Sequence, residues 1–370
     1  MKYYLIAGEA SGDLHGSNLI KALRALDPNA EFRAWGGDLM QAAGAQLVKH
    51  YRDLAFMGFA EVVRNLPTIL GNLKFCKQDI ASFQPDVVVF IDYPGFNLRL
   101  APYVKSLGIK SVYYISPQLW AWKPGRVKII REHIDQMLCI LPFEKAWFAQ
   151  HQVAAHDVGH PLLDALAEYP FDPHFRAAHG LDERPILALL PGSRKQEIAK
   201  KLPVMLKAAA QFPQCQVVVA AAPGQPVSFY EEIAQGQPMR AISGVTYQLL
   251  HTAEAAMVTS GTATLETALI GCPELVAYKS SLLSYEIGKR LVKVPFISLV
   301  NLILNRKLVQ EFIQNDCTPA KLAAETRLLL ENAAYRSQIK AGYAELREKL
   351  GGAGASKRAA EKIFTLLGAE

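Results

Sequence analysis

The chain has 370 residues, 51% of them hydrophobic and 20% charged, a composition that excludes a disordered chain; its length exceeds one ordinary core and predicts two domains. Forty basic against 34 acidic residues leave a net charge of +6, an excess that suits an anionic small substrate or an anionic membrane face and speaks against nucleic acid as a partner. Five cysteines at 76, 139, 215, 272 and 317 show no metal-ligand or redox spacing, which fits a reducing compartment.

The chain opens on Met1-Lys2 and enters a short apolar run, Tyr3–Ala7, with no signal-peptide pattern. No apolar run reaches the roughly 20 residues of a membrane span. The expectation is a cytoplasmic protein whose membrane contact, if any, is peripheral.

In chain order, the first half predicts strands at Tyr3–Ala7, Asp86–Ile91, Lys110–Ile115 and Gln136–Ile140. The second half predicts them at Pro185–Leu190, Gln216–Ala221, Ala255–Val258 and Leu275–Tyr278. All are short, rich in Val and Ile, and nearly continuous in apolar character, as in a parallel sheet covered on both faces. Helical patterns follow at Leu14–Leu26, Phe96–Leu107, Lys195–Gln211 and Ala263–Ile270. The alternation predicts an α/β fold, and the strand, glycine loop, helix sequence begins twice, at Tyr3 and at Pro185. A Pro-containing stretch between Gly159 and Glu183 is the expected linker. The predicted domains are 1–160, 161–340 and a helical tail, 341–370, packing back on the first. Two doubly wound sheets would hold ligands at the carboxyl ends of their strands, in an interdomain cleft.

The loops after these strands carry the candidate chemistry. Gly192, Ser193 and Arg194 join a buried strand to a helix; glycine allows close backbone approach, the helix start offers free N–H groups, and Arg194 offers a planar fork for phosphate. Ser260, Gly261 and Thr262 repeat the arrangement, with Glu266 one turn into the helix, where a carboxylate suits ribose hydroxyls. Thr262 also suits a plain N-cap role. The loop Gly8–Asp13 lacks the dinucleotide fingerprint, which argues against a nicotinamide enzyme, and its acidity suits sugar hydroxyls; a turn with a capping Asp13 is the lesser alternative. Asp92 ends a very apolar strand, where burial raises a carboxylate toward the range of a general base; capping of the following helix is the alternative.

Between Leu54 and Phe83 the apolar residues are too dense for one helix face. Met57, Phe59, Val62, Leu66, Ile69, Leu70 and Leu73, with Arg64, Lys74 and Lys77 among them, suit either acyl chains and a membrane surface or core packing. Pro67 should kink any helix there. Trp120 and Trp122 suit a sugar or acyl lining, or simple burial. No Asp-x-Asp pair occurs, so a metal clamp on a diphosphate is not suggested.

Taken in order, these segments resemble the lipid-A-disaccharide synthases. The resemblance rests on Gly8–Asp13, Leu54–Gly58, Ile91-Asp92 with Phe96-Asn97, Ser116-Pro117 with Trp120-Ala121-Trp122, and Leu141–Lys145. It continues through Leu190–Arg194, Ser260–Glu266, Lys289–Lys293 and Ser298–Leu302, spanning about residues 5 to 320. It implies a GT-B fold of two Rossmann-like domains and an inverting, metal-independent transfer with no cofactor. The implied substrates are UDP-2,3-diacylglucosamine and 2,3-diacylglucosamine 1-phosphate (lipid X), joined through a β-1,6 bond with release of UDP at the inner face of the inner membrane. The family's essential aspartate falls on Asp92, its loop glutamate on Glu9, its nucleotide-side arginine on Arg194 and its donor-site asparagine on Asn301. Gly95 stands where the family often has a second aspartate. The alternatives are another GT-B enzyme acting on UDP-N-acetylglucosamine, as transferase or 2-epimerase, and a non-catalytic lipid- or nucleotide-binding protein.

Overall fold

The computed structural model describes residues 1–54, 66–122, 124–292 and 294–368. The chain divides into two compact units, Met1–Ala167 with Gly351–Glu370, and Glu168–Leu350. The passage between them falls at Ala167, just after the helix Pro161–Ala167, and the helix Ala333–Leu350 stays with the second unit.

The first unit contains β1 (Lys2–Ala7), β2 (Glu31–Gly36), β3 (Gln46–His50), β4 (Val87–Ile91), β5 (Lys110–Tyr114), β6 (Gln136–Cys139) and β7 (Ala155–Asp157), all parallel in the order β3-β2-β1-β4-β5-β6-β7. The chain winds outward from β1 to β3, then crosses back to β4 and winds the other way. That reversal makes a topological switch point between β1 and β4, where Ala7 lies opposite Ile91. Val87 to Ile91 are wholly buried, as the unbroken apolar run demands of a strand covered on both faces.

The second unit repeats the plan. Its strands are β8 (Ile186–Leu190), β9 (Gln216–Ala221), β10 (Arg240–Ser243), β11 (Ala255–Thr259), β12 (Glu274–Tyr278) and β13 (Glu311–Ile313), in the parallel order β10-β9-β8-β11-β12-β13. Here the switch point lies between β8 and β11, with Leu190 opposite Val258.

The helix Ala355–Leu366 returns to the first unit, as the sequence predicts, and packs on the helix Ala10–Leu26. Its start is fixed by Asp164, whose carboxylate accepts the backbone N–H of Ala355 at 3.1 Å and of Ser356 at 2.8 Å. Arg358 adds a bond from Nε to the Val158 carbonyl at 2.9 Å. The helix Leu66–Phe83 is held by a buried polar network. Asp79 pairs with Arg33 at 2.6 Å and accepts the Tyr4 hydroxyl at 2.6 Å, while Trp35 Nε1 donates to that hydroxyl at 2.8 Å. Pro67 is the second described residue of this helix.

Candidate functional site

In the first unit, the candidate residues Glu9 and Asp92 follow the two strands of the switch point. Asp92 and Tyr93 are consecutive left-handed residues, with φ of 45° and 49°, and Ile115, just past the neighbouring strand, has φ of 65°. Such backbone is costly for residues with a Cβ and persists only where surrounding bonds impose it. Those bonds are present. The Asp92 N–H donates to the Tyr114 carbonyl at 3.2 Å, and the Asp92 carbonyl accepts both Asn97 Nδ2 at 2.8 Å and the Tyr113 hydroxyl at 2.6 Å. The Tyr93 ring lies against Gly8 so closely that a Cβ there would come within 2.4 Å of Tyr93 Cγ. Glycine at position 8 is what lets the turn after β4 reach the turn after β1.

Burial first, then the charge of Glu9, push the half-buried Asp92 carboxyl up to about 7; the Tyr93 backbone N–H pulls it down by less than Glu9 raises it, and the charge of Glu144 adds the smallest upward push. A carboxylate so placed has the basicity to take a proton from a hydroxyl near neutral pH. Asp92 does not cap the helix Pro94–Ser106, because that helix has Tyr93 at its N-cap with no side-chain cap bond. Glu9 occupies the N-cap position of the helix Ala10–Leu26. Asp13, by contrast, is buried and accepts the backbone N–H groups of Gly37, Leu39 and Met40 at 2.8 to 3.1 Å, so its carboxylate is committed to fixing the helix Asp38–Ala42. The capping explanation therefore holds for Asp13, although the helix it caps is a different one.

Trp120 is half-buried, packs edge-on against Phe143 at 4.9 Å and donates from Nε1 to Glu144 at 3.0 Å. Trp122 is more exposed, at 38%. Glu144, which is buried, accepts four groups: the Ser116 hydroxyl, the Trp120 indole, and the N–H groups of Ile140 at 3.2 Å and Leu141 at 3.0 Å. It thereby fixes the turn that carries both tryptophans.

Of the apolar set, Met57, Phe59 and Val62 lie outside the described residues. Leu66 and Leu70 are exposed at 42% and 54%, one helical turn apart, with Phe75 exposed at 46% further along. Ile69 packs at the edge of the core. Leu73, three residues on from Leu70 and on the same side of the helix, is a core residue, and the expectation that it meets acyl chains or a membrane is corrected accordingly. No helix among the described residues is long and apolar enough to cross a membrane.

In the second unit, both candidate loops emerge at the switch point between β8 and β11. The helices Lys195–Ala209 and Thr262–Ile270 have Arg194 and Gly261 at their N-caps, and neither N-cap residue makes a side-chain cap bond to the first-turn N–H groups. The capping role considered for Thr262 is thus not realised; Thr262 is the first helical residue and is exposed. Gly192 has φ of +124°, a conformation that favours glycine. Arg194 Nη1 lies 3.2 Å from Glu197 Oε1. Ser193 is exposed beside it. Glu266 is half-buried, accepts the Tyr247 hydroxyl at 3.3 Å, and is pushed up to about 7 by burial.

Two donor-side expectations need revision. Ser260 gives its hydroxyl proton to the Ile297 carbonyl at 2.8 Å, so that proton is already engaged and its side chain offers a ligand an acceptor. Asn301 is wholly buried and uses its full hydrogen-bonding capacity internally. Its Nδ2 donates to the Val309 carbonyl and to Glu311 Oε1, and its Oδ1 accepts the N–H groups of Leu308 and Val309. It is a scaffold residue of this unit, and direct contact with a nucleotide is corrected. Asn97 and Glu144 fall in stretches that carry the resemblance but received no role from the sequence, and Tyr113, Glu311 and Lys201 were passed over; the polar bonds of all five help define these turns. Of the three passed over, Lys201 left a signal, a charge at an apolar-stripe position of its helix.

Comparison with known proteins gives the family and the fold. The family model described as lipid-A-disaccharide synthetase matches residues 3–363. The lipid-A-disaccharide synthase of Myxococcus xanthus (strain DK1622) is 41% identical over 373 residues, covering 98% of this chain and 97% of that protein. That of Syntrophus aciditrophicus (strain SB) is 42% identical over 371 residues, with the same coverage of 98% and 97%. Among solved structures, UDP-GlcNAc 2-epimerase from Neisseria meningitidis, bound to UDP-GlcNAc, has a TM-score of 0.70 at 12% identity, covering 99% of this chain and 100% of that one. The glycotransferase of kitacinnamycin has a TM-score of 0.64 at 14% identity, with 99% of both chains covered. At such identities the likeness is one of fold, and the fold is of the GT-B type.

Proposed function

Because the chain belongs to the lipid-A-disaccharide synthetase family, glycosyltransferases of lipid A biosynthesis, we propose that it joins UDP-2,3-diacylglucosamine to 2,3-diacylglucosamine 1-phosphate. The acceptor 6-hydroxyl attacks the anomeric carbon of the donor and gives its proton to Asp92. The anomeric C–O bond breaks with inversion, and its electron pair leaves on the β-phosphate oxygen of UDP. The product is the β-1,6-linked disaccharide 1-phosphate.

The reading gives the two units separate tasks. In the first, Asp92 is the base, Glu9 helps keep its proton affinity high, and Trp120 and Trp122 line the acyl or acceptor side. In the second, Gly192, Ser193, Arg194, Gly261 and Thr262 meet the diphosphate, and Glu266 takes the ribose. Ser260 and Asn301 support these turns from behind. Positive charge and oriented N–H groups at a leaving diphosphate are worth most in a site that excludes water. Leu66 and Leu70, with Lys74 exposed on the following turn, suit the cytoplasmic face of an anionic membrane, where acylated substrates reside.

The observation that carries the proposal is the pairing of chemistry with topology. A carboxyl raised to about 7 follows one strand of the first switch point, and two helix starts without side-chain caps follow the strands of the second. Turnover of acylated against non-acylated UDP-glucosamine tests it. Strong preference for the acylated donor is expected; equal turnover of the non-acylated sugar would point to a soluble-sugar enzyme instead.

A further inference from the structure

The helix Lys195–Ala209 turns an apolar stripe inward through Ile198, Leu202, Met205 and Leu206, and Lys201 lies on that stripe, only 2% exposed. An ammonium is rarely buried so fully unless it is paired, and an apolar side chain would fill the space without the desolvation cost. Burial lowers its pKa, and the charge of Glu197 opposes that shift.

Its surroundings give the charge a use. The Lys201 ammonium hydrogen-bonds the hydroxyl of Thr259, the last residue of β11, and lies 3.5 Å from Glu197 Oε2. On its other side is the turn after β8. A Cβ built on Gly192 would come 3.4 Å from Lys201 Nζ and 2.5 Å from Glu197 Oε2. Since β8 and β11 are neighbouring strands, the ammonium sits between the two turns that open the helices Lys195–Ala209 and Thr262–Ile270.

We propose that Lys201 is a positioning residue for the donor diphosphate, its buried ammonium tying the Gly192 turn to the end of β11. This rests on the assignment of those two turns to the diphosphate. An anion that takes N–H groups from both helix starts needs their separation fixed beforehand, because each bond weakens steeply with misalignment. Lys201 meets that need through Thr259 and the Gly192 turn without touching the ligand. Its charge also adds positive potential behind both turns, where low dielectric preserves it.

The test is calorimetric binding of UDP and of uridine to the full chain and to Lys201→Met, Thr259→Val and Arg194→Ala, with folding checked by circular dichroism. Lys201→Met should weaken UDP by about tenfold or more and uridine by less than about twofold, the loss expected when a bond to a charged group is removed. Thr259→Val should move the UDP-to-uridine ratio the same way by about threefold. A merely structural lysine would weaken both ligands alike. Arg194→Ala separates the two ideas. If it leaves UDP binding intact, the assignment of the turns fails. If it weakens UDP while Lys201→Met and Thr259→Val leave the ratio unchanged, the role of Lys201 is overturned. Should Lys201→Met fail to fold, Thr259→Val decides.

Discussion

Asn301 Nδ2 and Glu311 Oε1 meet at 2.8 Å, and from that pair a run of hydrogen bonds leads to the turn after β11. Glu311 accepts the N–H groups of Ile297 and Ser298, each at 3.0 Å, and the Ile297 carbonyl accepts the Ser260 hydroxyl. On the proposed reading, Asn301 would act on the donor side only through this run of bonds. Asn301→Ala should strand several buried partners and cost about 2–4 kcal/mol of stability together with weaker UDP binding. Chemical denaturation alongside calorimetry checks this. Weaker UDP binding at unchanged stability would mean that Asn301 meets the ligand directly.

The pH profile of kcat/KM should show an acid limb near 7, because a general base must be deprotonated and Asp92 is pushed up to about 7. Activity rises with pH through that value. Removing a neighbouring negative charge favours the ionised carboxylate, so Glu9→Gln should move the limb to lower pH, and Glu144→Gln should do so less. Burial is the larger cause, so the limb should remain well above the ordinary carboxylate value of 3.8 in both variants. A limb that ignores Glu9→Gln would detach Asp92 from the profile.

How much of this was legible beforehand differs by element. The strands buried on both faces, such as Val87–Ile91 and Ile186–Leu190, are unbroken apolar runs and read directly. The edge strands β3, β7, β10 and β13 are short and only partly buried, so nothing in their composition separates them from loops. The interior strand β2, next to the edge, was hidden because Glu31 and Arg33 interrupt its apolar pattern, Arg33 to pair with Asp79. Asp92 and Arg194 could be found because each follows a legible strand. Asn301 and Glu144 could not be interpreted, and Asp13 could be read as a cap but not assigned to its helix, because a polar side chain buried among backbone amides looks the same in sequence as one facing a ligand.

Acid should loosen the return of the C-terminal helix. His15 and His160 are buried, with burial lowering them to about 4 and about 3; His15 feels the charge of Asp164, which caps that helix, and His160 feels His15. Folded values below the unfolded 6.5 mean that their contribution is full above pH 6.5 and is lost as pH falls toward 4. Asp92 and Glu266, raised to about 7, act oppositely over that range, since the folded state takes up their protons first. The difference between wild type and His15→Gln isolates the histidine. The variant should lose up to about 1.4 kcal/mol per pH unit less than wild type between pH 6 and 4. Equal slopes in urea titrations would contradict the burial of His15 as a neutral ring.

Membrane contact should depend on the exposed side of the helix Leu66–Phe83. Replacing Leu66 and Leu70 together by Ser should reduce pelleting with anionic vesicles by about tenfold or more, since burying each leucine is worth about 1.5–3 kcal/mol. Leu73→Ser should leave pelleting of the folded protein unchanged and lower its stability. Unaltered pelleting of the double variant would remove these leucines from the contact.

The central claim is that Asp92 is the proton acceptor of a sugar transfer whose nucleotide is held by the second unit. Single-turnover assay of Asp92→Asn with UDP-2,3-diacylglucosamine and the acylated acceptor, beside calorimetric UDP binding, tests it most directly. Turnover should fall by about 10²- to 10⁴-fold while UDP affinity stays within about twofold of wild type. Turnover equal to wild type, or a loss of UDP binding that accounts for the whole effect, would contradict it.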